Sequence, residues 1–154
     1  MVPKGEILPG GYPGVALALA LLGACGYFSN WITEHRSPTI SATGFHTIAL
    51  LLGTTDQTSA ALADKVEQRL GAGGWVVVPR PGRWRNEAEA LDEICQAAPS
   101  STVVDGVLFV WPDQLKLWDC RTHLAAYEAR SERAGPDELL NRLVQYLRGQ
   151  PPRR

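Results

Sequence analysis

The pattern of hydrophobic and polar positions divides the chain near residue 33. Residues 7–33 contain no Asp, Glu, Lys or Arg, and residues 13–32 within that run are predominantly apolar. A helix of 20 residues rises about 30 Å, the thickness of the hydrocarbon core of a bilayer. The pattern therefore predicts a transmembrane helix over 13–32, preceded by a short flank over 1–12.

Downstream of this run, apolar segments of strand length alternate with segments of helical period. Residues 33–44 are polar and contain Pro38 and Gly44, which is typical of a linker. Strands are expected over 46–53, 75–78, 103–111 and 115–119, the last as an edge strand in a hairpin. Helices are expected over 58–70, from Asn86 to Pro99 and from Gly135 to Gly149. Residues 123–133 are interpreted as a polar helix or an ordered insert, and residues 150–154 as a tail.

The resulting order over residues 45–149, β-α-β-α-β-β-α, resembles the thioredoxin fold. Thioredoxin-like redox proteins carry a CxxC motif after the first strand, whereas this chain has Gly53-Thr54-Thr55-Asp56-Gln57 there. The expected fold class is therefore α/β, with one N-terminal transmembrane helix followed by a small thioredoxin-like domain that lacks the redox motif.

Composition narrows the function only slightly. The chain has 154 residues and a net charge of -1, so the overall charge indicates no class of partner. Its three cysteines, Cys25, Cys95 and Cys120, are scattered and form no CxxC. The domain holds at most one disulfide pair, and so few cysteines are compatible with a reducing or neutral compartment.

The apolar segment has two alternative interpretations besides a span. Leu22-Gly23-Ala24-Cys25 resembles the lipobox of bacterial lipoproteins, in which the cysteine is lipidated and becomes the new N-terminus. Its flanks agree less well, because Lys4 is balanced by Glu6 where a signal peptide is positively charged. The segment is also compatible with a buried helix of the globular domain. Within a span, Ala16, Ala20 and Ala24 would form a small-residue face that packs against a neighbouring helix.

Two motifs carry candidate chemistry. Gly53-Thr54-Thr55-Asp56 lies between a strand and a helix, where phosphates bind, but it matches no phosphate-binding motif. A tight turn with Asp56 or Thr58 as helix cap is expected instead. Asp119-Cys120-x-x-His123 suggests an activated thiol or half a metal site, yet too few donors accompany it. No catalytic residue, cofactor or metal is predicted, and an enzyme with Cys120 or Cys95 as nucleophile is the remaining catalytic alternative.

The most distinctive loop is basic. Arg80, Arg83, Trp84 and Arg85 lie within six residues, and Arg153-Arg154 ends the chain. Arginine and tryptophan are enriched at interface anchors, so these residues are candidate contacts for a partner protein or for anionic lipid headgroups. A solvated loop with Trp84 folded onto the domain is an equal alternative. Nucleic acid is not expected, because the rest of the domain carries many acids.

The N-terminus resembles a known family. Glu6-Ile7-Leu8-Pro9-Gly10 before one hydrophobic helix is similar to the start of the MWFE subunit of mitochondrial respiratory complex I, over about residues 1–30. The resemblance implies a non-catalytic, single-span accessory subunit of the respiratory electron-transport chain in the mitochondrial inner membrane, with other subunits of the complex as partners. The alternative function is a bacterial lipoprotein, anchored at Cys25, whose α/β domain binds a ligand or protein at the cell envelope.

Overall fold

The computed structural model describes residues 31–96 and 103–152. They form a mixed α/β domain. Its strands are β1 (Ile32–Arg36), β2 (Thr47–Leu52), β3 (Val76–Pro79), β4 (Gly106–Trp111), β5 (Gln114–Asp119) and β6 (Ala125–Ser131). Its helices are α1 (Gln57–Ala72), α2 (Glu87–Cys95) and α3 (Pro136–Leu147), with a 3-10 turn at Ala42–Gly44.

The six strands form one sheet in the order β1-β6-β5-β4-β2-β3. Strand β2 pairs in parallel with β3 on one side and with β4 on the other. Strands β4, β5, β6 and β1 then continue antiparallel. The sheet is therefore parallel at one end and a meander at the other.

The helices cover the two faces of this sheet unequally. Helices α1 and α3 pack on one face, where Leu62, Val66, Leu143 and Leu147 join the larger hydrophobic cluster. Helix α2 packs on the other face in a smaller cluster around Leu91. Since β3 lies on one side of β2 and β4 on the other, the two right-handed crossovers leave α1 and α2 on opposite faces.

A buried polar cluster fixes the edge strand β1 to the rest of the domain. The Glu34 carboxylate accepts a hydrogen bond from Tyr127 Oη at 2.7 Å and lies 3.4 Å from the Arg36 guanidinium. Arg142 on α3 approaches the same carboxylate at 3.9 Å, and the side chains of Glu34 and Arg142 are each 7% exposed. Burial, and then the hydrogen bond to Glu34, raise the pKa of Tyr127 far above its ordinary value.

The structure corrects the predicted fold class. The expected transmembrane helix followed by a thioredoxin-like β-α-β-α-β-β-α domain is wrong, because two additional strands, β1 and β6, make a six-stranded sheet. Across 31–96 and 103–152, no helix is both long and apolar enough to cross a membrane. The predicted span lies outside the described residues up to Asn30, and its last residue, Ile32, begins strand β1.

Two further predictions fail at the meander. The supposed linker over 33–44 supplies most of β1 and the 3-10 turn, because Thr33, Glu34 and Arg36 pair with β6. The supposed polar helix or insert over 123–133 is β6, which also pairs with β5 and so places that strand inside the sheet rather than at its edge. The predicted hairpin between Trp111 and Gln114 is present.

Candidate binding groove

A groove lies at the carboxyl ends of the parallel strands. The loops after β2 and β3 leave neighbouring strands toward opposite faces of the sheet, since they lead to α1 and α2 respectively. Ligands of open α/β sheets bind in the crevice at such a point. The groove here has a volume of about 490 Å³, within the range of small-molecule and side-chain sites, and we call it the tryptophan groove. It is lined by Leu52–Thr55, Gly82–Glu87, Phe109 and Trp111.

Two glycines make room for the two indole rings of the groove. The Gly53 N–H donates to the Val110 carbonyl at 2.7 Å, and a Cβ on Gly53 would overlap the ring of Trp111. A Cβ on Gly82 would lie 2.9 Å from Cη2 of Trp84, and Gly82 adopts φ +152°, which favours glycine. Trp111 also stacks on Phe109, with ring centroids 5.8 Å apart. Both indoles are therefore packed closely against the backbone of the domain.

The loop between β2 and α1 acts as a helix cap. Asp56 accepts a hydrogen bond from the backbone N–H of Ser59 at 2.8 Å and another from the Thr54 hydroxyl at 2.8 Å. These bonds, the Ser59 bond first, lower the pKa of Asp56. The tight turn predicted at this position is present, with Asp56 as the cap.

The basic loop is partly neutralised by α2. Arg85 Nε donates to Glu89 at 2.7 Å, and the Arg85 backbone N–H donates to the same carboxylate at 3.2 Å. This pairing raises the pKa of Arg85 and lowers that of Glu89. Trp84 Nε1 donates to Glu93 at 3.2 Å. Trp84 and Arg85 are therefore held on the domain, with the Trp84 ring still lining the groove.

Two arginines of the same loop remain available. Within the described part of the chain, the guanidinium groups of Arg80 and Arg83 form no hydrogen bond or ion pair. Arg83 is exposed on the tryptophan groove, while Arg80 lines a second pocket of about 360 Å³ between α1 and β3. Leu52 borders both pockets and is 44% exposed. The other predicted contact residues, Arg153 and Arg154, and the predicted packing residues, Ala16, Ala20 and Ala24, lie outside the described residues.

Helix α2 forms the wall of the groove and is attached at one end to β5 and at the other to the residue that follows β5. At its first turn, Glu87 accepts a hydrogen bond from Trp118 Nε1 at 2.8 Å and lies 3.4 Å from Lys116 Nζ. At its last residue, Cys95 forms a disulfide with Cys120, with a Cα–Cα distance of 5.2 Å. The attachments compensate for a short helix with few buried side chains.

The disulfide also settles the candidate thiol chemistry. Cys120 and Cys95 are bonded to each other, so neither is a free nucleophile in this state. His123 faces Asp92, with Nδ1 at 3.7 Å from the carboxylate, rather than a cysteine. Among the residues that the structure describes, no group of three or more His, Cys, Asp or Glu side chains is placed to hold a metal ion.

Sequence reasoning identified the basic loop but missed the rest of the groove. The sequence places Leu52, Phe109 and Trp111 in strands, and it places Gly53 in a turn whose alternative is a phosphate site rather than a groove with aromatic walls. The available signal was a tryptophan at the end of one buried strand and a glycine at the end of another. These positions become neighbours only if the two strands are adjacent and parallel.

The chain matches no family model and no curated protein.

Proposed function

We propose that this chain is a bacterial envelope lipoprotein, anchored at Cys25, whose α/β domain is a binding module. The domain would hold a partner at the tryptophan groove, close to the membrane surface. The proposal assigns no chemistry to the domain.

The observation that carries the proposal is the Cys95–Cys120 disulfide. Structural disulfides persist in oxidising compartments such as the bacterial periplasm and are rare in the cytosol. The bond joins two cysteines that are 25 residues apart and attaches the end of the helix that forms the wall of the groove. A domain that carries such a bond is suited to an oxidising compartment outside the inner membrane.

A second line of support is the sequence before the domain. Leu22-Gly23-Ala24-Cys25 resembles a lipobox, and strand β1 begins at Ile32, seven positions after Cys25. Acylation of Cys25 would hold the domain near the membrane by the hydrophobic attachment of its chains. The non-catalytic accessory subunit of a respiratory membrane complex stays a prediction from the first 30 residues.

The test is the intact mass of the full chain purified in mild detergent from a bacterial host. We expect a chain that begins at Cys25 and carries acyl mass, and a Cys25→Ala variant that lacks this mass. Cys120→Ala is the control for loss of a cysteine away from the anchor, and only its acyl mass is compared, because the variant also breaks the disulfide. An unprocessed chain without acyl mass that migrates in a large complex on blue-native electrophoresis would contradict the lipoprotein and favour the accessory subunit.

A further inference from the structure

The surface around the tryptophan groove combines exposed apolar area with a cation that has no counter-charge. We propose that the tryptophan groove binds an acidic segment of a partner protein, with an apolar side chain against the indoles that line it and a carboxylate at Arg83. The proposal rests on the domain being a binding module, and it adds the chemistry of the partner.

The shape of the surface favours a protein segment. The groove and the second pocket share Leu52, which is 44% exposed at the carboxyl edge of the sheet, and each of them is open rather than enclosed. Exposed apolar surface with a polar rim is typical of protein interaction sites. An extended segment can cross Leu52 and place neighbouring side chains in both pockets.

The indoles are suited to act as anchors. Trp111 is packed on Gly53 and Phe109, and Trp84 is packed on Gly82 and bonded to Glu93. Because the rings are already ordered, little side-chain entropy of this chain is lost when a partner binds. Tryptophan and arginine are the residues most enriched among those that dominate binding energy at interfaces.

The charges at the groove select an acidic partner. Arg85 is paired with Glu89, and Glu87 is paired with Lys116. Arg83 is the remaining cation on the lining, and it is exposed. A guanidinium group binds a carboxylate in a planar, bidentate geometry, which adds specificity to the attraction.

The second pocket gives the bound segment a direction. Its wall on α1 carries Asp64 and Glu67 beside Arg80. Like charges across an interface are unfavourable, so the acidic end of the segment lies at Arg83 and not at the α1 side of Leu52.

The test is a selection of random peptides displayed on phage, with the full chain in detergent and its disulfide intact as the bait. We expect selected peptides to carry Asp or Glu next to an aromatic or aliphatic residue. Synthetic copies should bind the Arg83→Glu variant at least about tenfold more weakly than the unmodified chain, and a selection on that variant should lose the acidic preference. Arg148→Glu, at the end of α3, is the matched charge-reversal control and should change neither result.

Two further variants test the contribution of the tryptophan rings separately from that of the Arg83 charge. Trp84→Ala removes one anchor from an exposed loop, and Gly53→Ala displaces the other through its Cβ. Both should weaken the selected peptides while circular dichroism stays that of the unmodified chain. If only one of the two folds, that one decides the result.

Three outcomes would overturn the inference. The first is a selection without acidic enrichment, and the second is selected peptides that bind equally well to Arg83→Glu. The third is a chain that binds saccharides on an array through Trp84 and binds no peptide. These outcomes are independent of the anchor. A chain without acyl mass that still selects acidic peptides would contradict the lipoprotein proposal and support acidic-peptide binding at the groove. An acylated chain that selects no acidic peptides would support the lipoprotein proposal and contradict acidic-peptide binding.

Discussion

The two faces of the sheet are held by different means. The face under α1 and α3 is a continuous apolar cluster, with Leu143, Leu108 and Leu115 fully buried. The opposite face is covered only where α2 packs, and there a disulfide, a carboxylate and a helix cap supplement a small cluster. The candidate groove adjoins this second face.

On the proposed function, this difference separates the part of the domain that provides stability from the part that binds. Continuous apolar burial holds α1 and α3 by the hydrophobic effect, which requires that the surface be closed to water. A binding groove requires the opposite, namely apolar rings that stay accessible. Discrete attachments at both ends of α2 keep the groove wall in place without covering the groove.

The largest effect is expected from a cavity in the α1/α3 face. Leu143→Ala should lower the free energy of unfolding by about 4 kcal/mol, because a fully buried leucine leaves a cavity that close packing cannot fill. Leu91→Ala on α2 should cost about 2 kcal/mol, because the smaller cluster relaxes more easily. Urea denaturation of both variants measures the difference. A larger loss for Leu91→Ala would contradict the comparison of the two faces.

The disulfide should have the next largest effect. Replacing both Cys95 and Cys120 by serine should lower stability by about 3 kcal/mol, since the bond closes a loop between residues 25 apart. Amide hydrogen exchange is compared under conditions in which the variant and the unmodified chain have the same free energy of unfolding. It should then be faster in α2 of the variant and unchanged in α3. Equal acceleration in both helices would show that α2 is not separately attached.

A pH dependence tests the buried cluster on the well-covered face. An unfolded tyrosine ionises near pH 10, whereas burial and Glu34 hold the proton on Tyr127 in the folded state. The stabilisation is therefore complete below pH 10 and is lost as the pH rises above it, by about 1.4 kcal/mol per pH unit. Tyr127→Phe should remove this part of the alkaline slope. An identical slope in the variant would contradict the assignment to Tyr127.

The smallest effect is expected at the helix cap of α2. Asn86 accepts a hydrogen bond from the Glu89 backbone N–H at 2.9 Å, and Asn86→Ala should cost about 1 kcal/mol. Asn86→Asp preserves the acceptor and should be close to neutral. Because Asn86 also lines the groove, the alanine variant should weaken the selected peptides as well. Thermal unfolding of the two variants provides the comparison, and a loss in Asn86→Asp equal to that in Asn86→Ala would contradict the capping role.

The sequence was most informative where a local pattern determines structure. Leucines one turn apart predicted α1 and α3, a continuous apolar run predicted β2, and Asn86 with Glu89 predicted the start of α2. These signals depend on periodicity and capping, which act over a few residues.

The meander could not be predicted in the same way. Strand β6 contains Ala125, Ala126, Glu128 and Ala129, residues with weak strand propensity, and it is stabilised by pairing with β5 and β1 on its two sides. Strand β1 lies in a polar stretch, where Glu34 becomes buried only because Tyr127 and Arg142 meet it from distant positions. Tertiary pairing outweighs propensity at both places.

The candidate site was predictable only in part for the same reason. The basic loop is contiguous, so Arg80, Arg83, Trp84 and Arg85 could be identified together. The packing of Gly53 under Trp111 joins two strands that are 58 positions apart in the chain. The cysteine pair was equally undetermined, because spacing does not decide whether two scattered cysteines meet.

The central claim is that this domain works in an oxidising compartment with α2 fixed by a disulfide. The most direct test is to quench intact cells of the natural host with iodoacetamide and to digest the chain without reduction. Peptides that contain Cys95 and Cys120 should be recovered linked to each other and free of the label. Recovery of both cysteines as separate, alkylated thiols would contradict the claim.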